Sequence, residues 1–306
     1  MYEGIPYGRY LDTSVCRVSI DNIRLKFTYK YQNYSYEQHC SVPSIDKISC
    51  LIDGMFFNNC DTTWSYRDFF KIGSYCRTCS ISGNGWSCAV LFGRYCFDNS
   101  CKLIAPEAVF DFNPNKVPDD VSFQIIHILR DSALSSSLSR FDVAFDFPIP
   151  RDEIHLVRDD LRRSYRLFLE GGAKTEYLGA RSSHGSLKLY DKSKESELSC
   201  DVTRCEITVA RDFVNSLSSV FPKLYLFDSM QLDLSFSYLP FPVQACILHP
   251  DMFDILRASC DPKTFRKYRG MIDTYGSCLL VPPCWPEIDR FVRSAVISYV
   301  KGCVFV

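Results

Sequence analysis

Much that would narrow the function is missing from this chain. Its 35 lysines and arginines are offset by 36 aspartates and glutamates, leaving a formal net charge of -1. No global positive field advertises a nucleic-acid partner, so such a role has to rest on local basic surface and on a site. A long apolar run is also lacking: the stretch 295–306 is short and interrupted by Lys301 and Gly302, which makes no membrane span. Residues 1–14 show no basic stretch followed by an apolar core, so no signal peptide is expected and a cytoplasmic location is. The 16 cysteines are then expected as thiols. Cys76 and Cys79 form a C-x-x-C, but Cys88, Cys96 and Cys101 follow at irregular spacings without the second close pair that zinc wants. Several cysteines fall in strand-like runs, where a thiol is a small core residue.

Strand patterns dominate what is there. Ile23, Leu25 and Phe27 alternate with Arg24, Lys26 and Thr28, the period of a half-buried strand. The stretches 75–82 and 86–94 meet across Gly83-Asn84-Gly85, a hairpin signal, and 103–112 is a further strand ending at Asn113-Pro114-Asn115. Pro118-Asp119-Asp120 opens a helix with Val121, Ile125, Ile128 and Leu129 on one face. A strand (141–147), a helix (about 151–168), a hairpin (175–190) and a strand (203–210) are expected next, with another helix from Phe213 onward. Similar element order in 20–115 and 139–211 suggests two similar halves, although no residue-level repeat supports duplication. The expected class is α+β: a large, curved, mainly antiparallel sheet with helices on one face. We divide it into a β-rich half (1–115), a half bearing the site (116–239) and a smaller helical accessory region (240–306).

The residues with chemistry lie between 139 and 211. In Arg140-Phe-Asp-Val-Ala-Phe-Asp-Phe147, Phe141, Val143, Phe145 and Phe147 share one face, and Asp142, Ala144 and Asp146 the other. These carboxylates, read as about 7 Å apart with a small alanine between, leave room for a divalent metal with oxygen ligands. Leu187 and Leu189 point to the core, so Ser186, Lys188, Tyr190 and Lys192 point away. Cys205, Ile207 and Val209 likewise leave Arg204, Glu206 and Thr208 on the polar face. If the three strands are neighbours, one surface gathers acids for a metal, cations for phosphate and a tyrosine hydroxyl. That set suits attack on a phosphodiester: the metal and cations neutralise charge, and the hydroxyl forms a covalent phosphotyrosine. Singly, each residue also reads as ordinary packing or solvated surface.

The order of segments adds to this. Phe110-Asp-Phe-Asn-Pro-Asn-Lys116, the 140–146 strand, Tyr177-Leu-Gly-Ala-Arg-Ser-Ser183, Leu189-Tyr-Asp-Lys-Ser-Lys-Glu195 and Arg204-Cys-Glu-Ile-Thr208 occur in sequence. The series resembles the replication-initiation-factor family of small plasmids, integrative elements and some phages, well over 100–215 and loosely over 14–100. The resemblance implies a relaxase-type nickase acting as a homodimer at an origin, single-stranded at the nick, with host helicase and polymerase as partners and no membrane. It places the nucleophile on Tyr190 and the metal-binding acids on Asp142, Asp146 and Glu206, with Mg²⁺ or Mn²⁺ the expected ion; Lys188, Lys192 and Arg204 are the cations that the strand pattern sets beside the tyrosine. Ala180 stands where serine is frequent, and Lys188 where arginine is. The histidines, at 39, 127, 155, 184 and 249, form no His-hydrophobic-His pair, which disfavours the nicking class with a two-histidine metal site. His184 is a further candidate to assist Tyr190.

DNA contacts are expected from Arg181, Ser182 and Ser183 and from a helix capped by Asp261-Pro262 that carries Lys263, Arg266, Lys267 and Arg269. A second basic run, Arg158, Arg162, Arg163 and Arg166, is diluted by Asp159 and Asp160 and reads as solvated surface. Two alternatives stand beside a rolling-circle initiator: a relaxase of a conjugative or integrative element, and a non-catalytic DNA-binding regulator on the same fold.

Overall fold

The computed structural model describes residues 9–29, 43–56, 61–68, 75–97, 103–131, 133–157, 162, 164–170, 172–180, 183–210, 216–226, 238–248, 252–275 and 280–301. The first half runs β1 (Tyr10–Asp12), β2 (Arg17–Thr28), α1 (Pro43–Phe56), β3 (Thr63–Asp68), β4 (Tyr75–Gly83), β5 (Trp86–Phe97), β6 (Leu103–Phe112) and α2 (Asp119–Asp131). Then follow β7 (Ser135–Phe147), β8 (Ile154–Val157), β9 (Tyr165–Glu170), β10 (Ala173–Leu178), β11 (Leu187–Asp191), α3 (Lys192–Ser196), β12 (Thr203–Ala210) and β13 (Lys223–Leu226). Four helices close the chain: α4 (Phe241–Leu248), α5 (Met252–Ser259), α6 (Pro262–Tyr275) and α7 (Trp285–Lys301). None of the described helices is long and apolar enough to cross a membrane.

Eleven strands make one open antiparallel sheet, ordered β3-β4-β5-β6-β2-β7-β12-β11-β10-β9 with β1 added to β2. The α+β expectation is met. Outward from β2 lie β6, β5, β4 and β3; outward from β7 lie β12, β11, β10 and β9. Each half starts at the centre, ends beside its own first strand and fills the rest by walking back from the edge. The similarity of element order is thus a similarity of topology, with the antiparallel β2–β7 pair on the pseudo-twofold.

Alternation puts one face of the sheet in the core. Phe141, Val143, Phe145 and Phe147 are buried with Leu187, Leu189, Cys205, Ile207 and Val209, in one core that also takes in Ile125 and Leu129 of α2 and Ile288 and Val292 of α7. The opposite face carries the charges. Strand β2 changes phase part-way: Val18 and Ile20 are buried at even positions, Ile23, Leu25 and Phe27 at odd ones. A register shift against β7 between Ile20 and Asn22 accounts for the switch, a β-bulge that leaves Asp21 out of the ladder. In the β4–β5 turn, Gly85 has φ of +75°, which favours glycine, and a Cβ at Gly83 would lie 2.5 Å from the Trp86 indole and push it aside.

Two helices expected from sequence are replaced. The described residues of 151–168 form a 3₁₀ turn, then β8 and the start of β9, because Ile154 and Leu156 alternate into the core and β9 finds a ladder partner in β10. Pairing within the sheet overrides the helical spacing of the arginines. Residues 213–215 lie outside the described residues; after them comes a 3₁₀ turn at 217–219 and then β13, paired with β8. Of the region expected to form a C-terminal accessory part, α4, α5 and α6 share a small core of Val243, Cys246, Phe253, Leu256 and Ile272. Helix α7 packs on the main sheet, with Tyr299 stacked on Phe123 and edge-on to Phe112.

Candidate active site

Strands β7, β12, β11, β10 and β9 are consecutive neighbours, which the shared polar face requires. Their registers define two rows across that face. One runs Asp146, Arg204, Tyr190, Thr175, Phe168; the other runs Ala144, Glu206, Lys188, Tyr177, Arg166. Over these strands lies a groove of about 780 Å³ whose lining includes Arg140, Asp142, Arg166, Lys188, Glu206 and Thr208.

Tyr190 sits on this face, but only 4% of it is exposed, and it does not line the groove. Its hydroxyl donates to Glu206 Oε1 at 2.5 Å, and the Lys188 ammonium lies 3.7 Å from the centre of its ring. Of the three acids expected around it, Glu206 is the one that its hydroxyl meets. Burial and then the Glu206 charge push the phenol above its ordinary range, so the neighbouring cations do not activate it as it stands. Burial, then the charge of Asp21, pushes the Glu206 carboxyl up to about 7.

Arg204 is spoken for. Its Nε and Nη2 donate to the two carboxylate oxygens of Asp146 at 2.6 and 2.8 Å, and its Nη1 to Asp21 at 2.8 Å. Asp146 and Arg204 are both buried, so this fork locks the centre of the sheet. Asp142 accepts from the Thr208 hydroxyl at 2.7 Å and, desolvated by burial, is held above the usual carboxylate range.

This arrangement does not fit the expected metal set of Asp142, Asp146 and Glu206. Asp142 and Asp146 are four residues apart on one strand, about 13 Å rather than about 7 Å. Asp146 is committed to Arg204, and among the described residues no group of three His, Cys, Asp or Glu is placed to hold a metal ion.

The other expected residues are dispersed. Lys192 starts α3 rather than continuing the strand, pairs with Glu195 and stays 6.0 Å from the Tyr190 ring centre. Arg181 and Ser182 lie outside the described residues, and the Ser183 hydroxyl donates to the Ala180 carbonyl at 2.6 Å. His184 Nδ1 accepts from the Ala210 amide at 3.3 Å, which ties it to the end of β12 instead of to Tyr190. On α6, capped by Asp261 through the Lys263 and Thr264 amides, Lys263, Arg266 and Lys267 are exposed while Arg269 is half-buried. Of the second basic run, Arg158 and Arg163 lie outside the described residues, whereas Arg166 lines the groove.

Sequence reasoning put Thr208 on the polar face without a role, and missed Asp21, Arg140 and the β9–β10 residues Phe168 and Tyr177. For Asp21 a signal existed: the change of hydrophobic phase between Ile20 and Ile23 marks the bulge. Phe168 was hidden by the helix assigned to its segment.

Fold and site together define a protein with a tyrosine–carboxylate pair beside a groove lined by both cations and carboxylates on the open face of an antiparallel sheet. Comparison with known proteins narrows the class. No family model matches the chain. Two replication initiation proteins of Staphylococcus aureus are 25% and 26% identical to it over 124 residues, 38% of this chain and 40% of each relative. The chain thus aligns with about 40% of the length of these relatives. A rolling-circle replication initiator from Geobacillus stearothermophilus is 15% identical with a TM-score of 0.38, covering 73% of this chain and 91% of that one. A score that low does not establish a common fold.

Proposed function

We propose that this chain initiates rolling-circle replication by nicking one DNA strand at an origin, with Tyr190 as nucleophile and Glu206 as the acceptor of its proton. The observation that carries this reading is the 2.5 Å hydrogen bond from the Tyr190 hydroxyl to Glu206 at the base of the groove. Oη attacks phosphorus and the bond to the 3′ oxygen breaks. The tyrosine proton passes to Glu206, and the 3′ oxygen takes one from solvent. The products are a 5′-phosphotyrosine and a free 3′-hydroxyl for the host polymerase to extend. Lys188 and Arg140, both in the groove lining, share the phosphate charge. Arg140 Nε is buried without a hydrogen-bond partner, a donor suited to a phosphate oxygen. Access to Oη requires the Lys188 ammonium to swing off the Tyr190 ring onto the phosphate. No step here passes through a metal ion.

The test is a covalent adduct. Supercoiled DNA carrying the chain's own origin, incubated with the protein in Mn²⁺ buffer, should be relaxed, and mass spectrometry should find the nucleotide on Tyr190. Tight binding without cleavage would favour the non-catalytic regulator, and an adduct on another residue would reject this nucleophile.

The proposed acceptor has a pH signature. Glu206 must be ionised to take the proton, so nicking should rise as pH passes upward through about 7. In Glu206→Gln that step should disappear and the rate fall about 10²- to 10⁴-fold, as for loss of a general base. Folding stability runs the other way. The folded chain keeps a proton that the unfolded chain releases near its ordinary value, so stability is lost as pH rises from about 4.5 to about 7. Rate and thermal unfolding measured between pH 5 and 8 check both signs.

Helix α6 is the proposed contact to duplex phosphates. Replacing Lys263, Arg266 and Lys267 by Ala should weaken binding to all sequences alike. It should also flatten the plot of log affinity against log salt by roughly 2–3 units. An unchanged slope would leave α6 a solvated surface.

A further inference from the structure

The outer wall of the groove is aromatic. On β9, Phe168 faces the polar side of the sheet with 51% of its surface exposed, so one face of its ring is open to the groove. Tyr177 of β10 meets it edge-on, with ring centres 5.5 Å apart and planes at 85°, which fixes the tilt of Phe168. The Arg166 guanidinium lies 5.6 Å from the centre of the Tyr177 ring. Phe168, Thr175 and Tyr190 occupy one cross-strand row, so Phe168 stands about 10 Å from the nucleophile. The short threonine between them leaves the way open along the row.

We propose that Phe168, held by Tyr177 and Arg166, is a stacking shelf for a nucleobase of single-stranded DNA whose backbone follows Lys188 and Arg140 through the groove. Cations interleaved with aromatic rings are what a strand with charged phosphates and flat bases requires. The groove also contains the acids Asp142, Glu170 and Glu206, so charge alone grips a polyanion poorly there. That balance favours an occupant held by stacking as well as by charge. A base on this shelf would set the register of the adjoining phosphate over Tyr190. That last role rests on the nicking reading; the stacking itself does not require cleavage.

Binding of two uncut oligomers by the full chain tests the shelf: a 12-nucleotide oligothymidylate, and an abasic deoxyribose-phosphate chain of equal length and charge. The wild type should prefer the first by about 5- to 100-fold, the range of a single aromatic–base stack. Phe168→Ala should remove most of that preference while leaving affinity for the abasic chain and thermal stability unchanged; Phe168→Trp should keep or raise it. Equal binding of the two oligomers by the wild type, or an intact preference in Phe168→Ala, would overturn the proposal. Neither outcome depends on adduct formation at Tyr190, so this idea and the nicking reading can fail separately.

Discussion

Tyr190→Phe is expected to abolish covalent adduct formation and nicking, by about 10⁴-fold or more, while duplex binding stays near wild type. A loss of that size follows from removing the attacking atom itself, since no other group can take over the covalent bond. The fold should survive. Phenylalanine keeps the ring against which Lys188 packs, and it removes a hydroxyl that bonds to carboxylates, chiefly Glu206. Losing that donor costs about 1 kcal/mol, and Glu206, already pushed up to about 7, meets part of the loss by staying protonated at neutral pH. Denaturant unfolding of the variant separates a chemical loss from a folded-state one. Nicking retained in Tyr190→Phe would move the nucleophile elsewhere, whereas cleavage and stability lost together would leave Tyr190 a packing residue.

Asp146→Ala should act on stability instead. Asp146 and Arg204 are buried at the centre of the sheet, and removing the acid leaves a guanidinium with Asp21 as its remaining carboxylate. Breaking a buried pair by deleting one partner costs about 3–5 kcal/mol, a large share of the stability of an ordinary domain. The double change Asp146→Leu with Arg204→Met should recover most of it, because the unpaired charge is gone and apolar volume replaces the fork. Asp142→Ala, at the groove and bonded to one threonine, should cost far less. Urea unfolding of the three variants and the wild type gives the comparison. If Asp146→Ala unfolds like the wild type and loses Mn²⁺ binding, Asp146 is a metal ligand after all.

Much of the fold could be read locally. The period-two runs at 141–147, 187–191 and 203–210 specify which side chains are buried, because neighbouring residues of a strand face opposite ways. The hairpin at 83–85 and the helix at 119–131 carry their own turn and capping chemistry. The failures at 151–168 and after 213 share a cause: arginines at helical spacing and short apolar runs are compatible with either state, and distant β10 and β13 decide. Asp21 is intermediate, since its bulge shows in the sequence as a slip of phase, yet its attachment to Arg204 spans most of the chain.

For the site, the sequence by itself determined a tyrosine, a glutamate and a lysine on one polar face, since strand parity follows from the pattern of buried residues alone. What only the tertiary structure decided is which of those groups meet. Cross-strand register paired Tyr190 with Arg204 and Lys188 with Glu206, and put Asp146 under Arg204. Folding β9 onto β10 brought Phe168 into the row of Tyr190. Register depends on long-range ladder bonds and core fit rather than on local preference, so the partners of each charge appear only once the sheet is assembled.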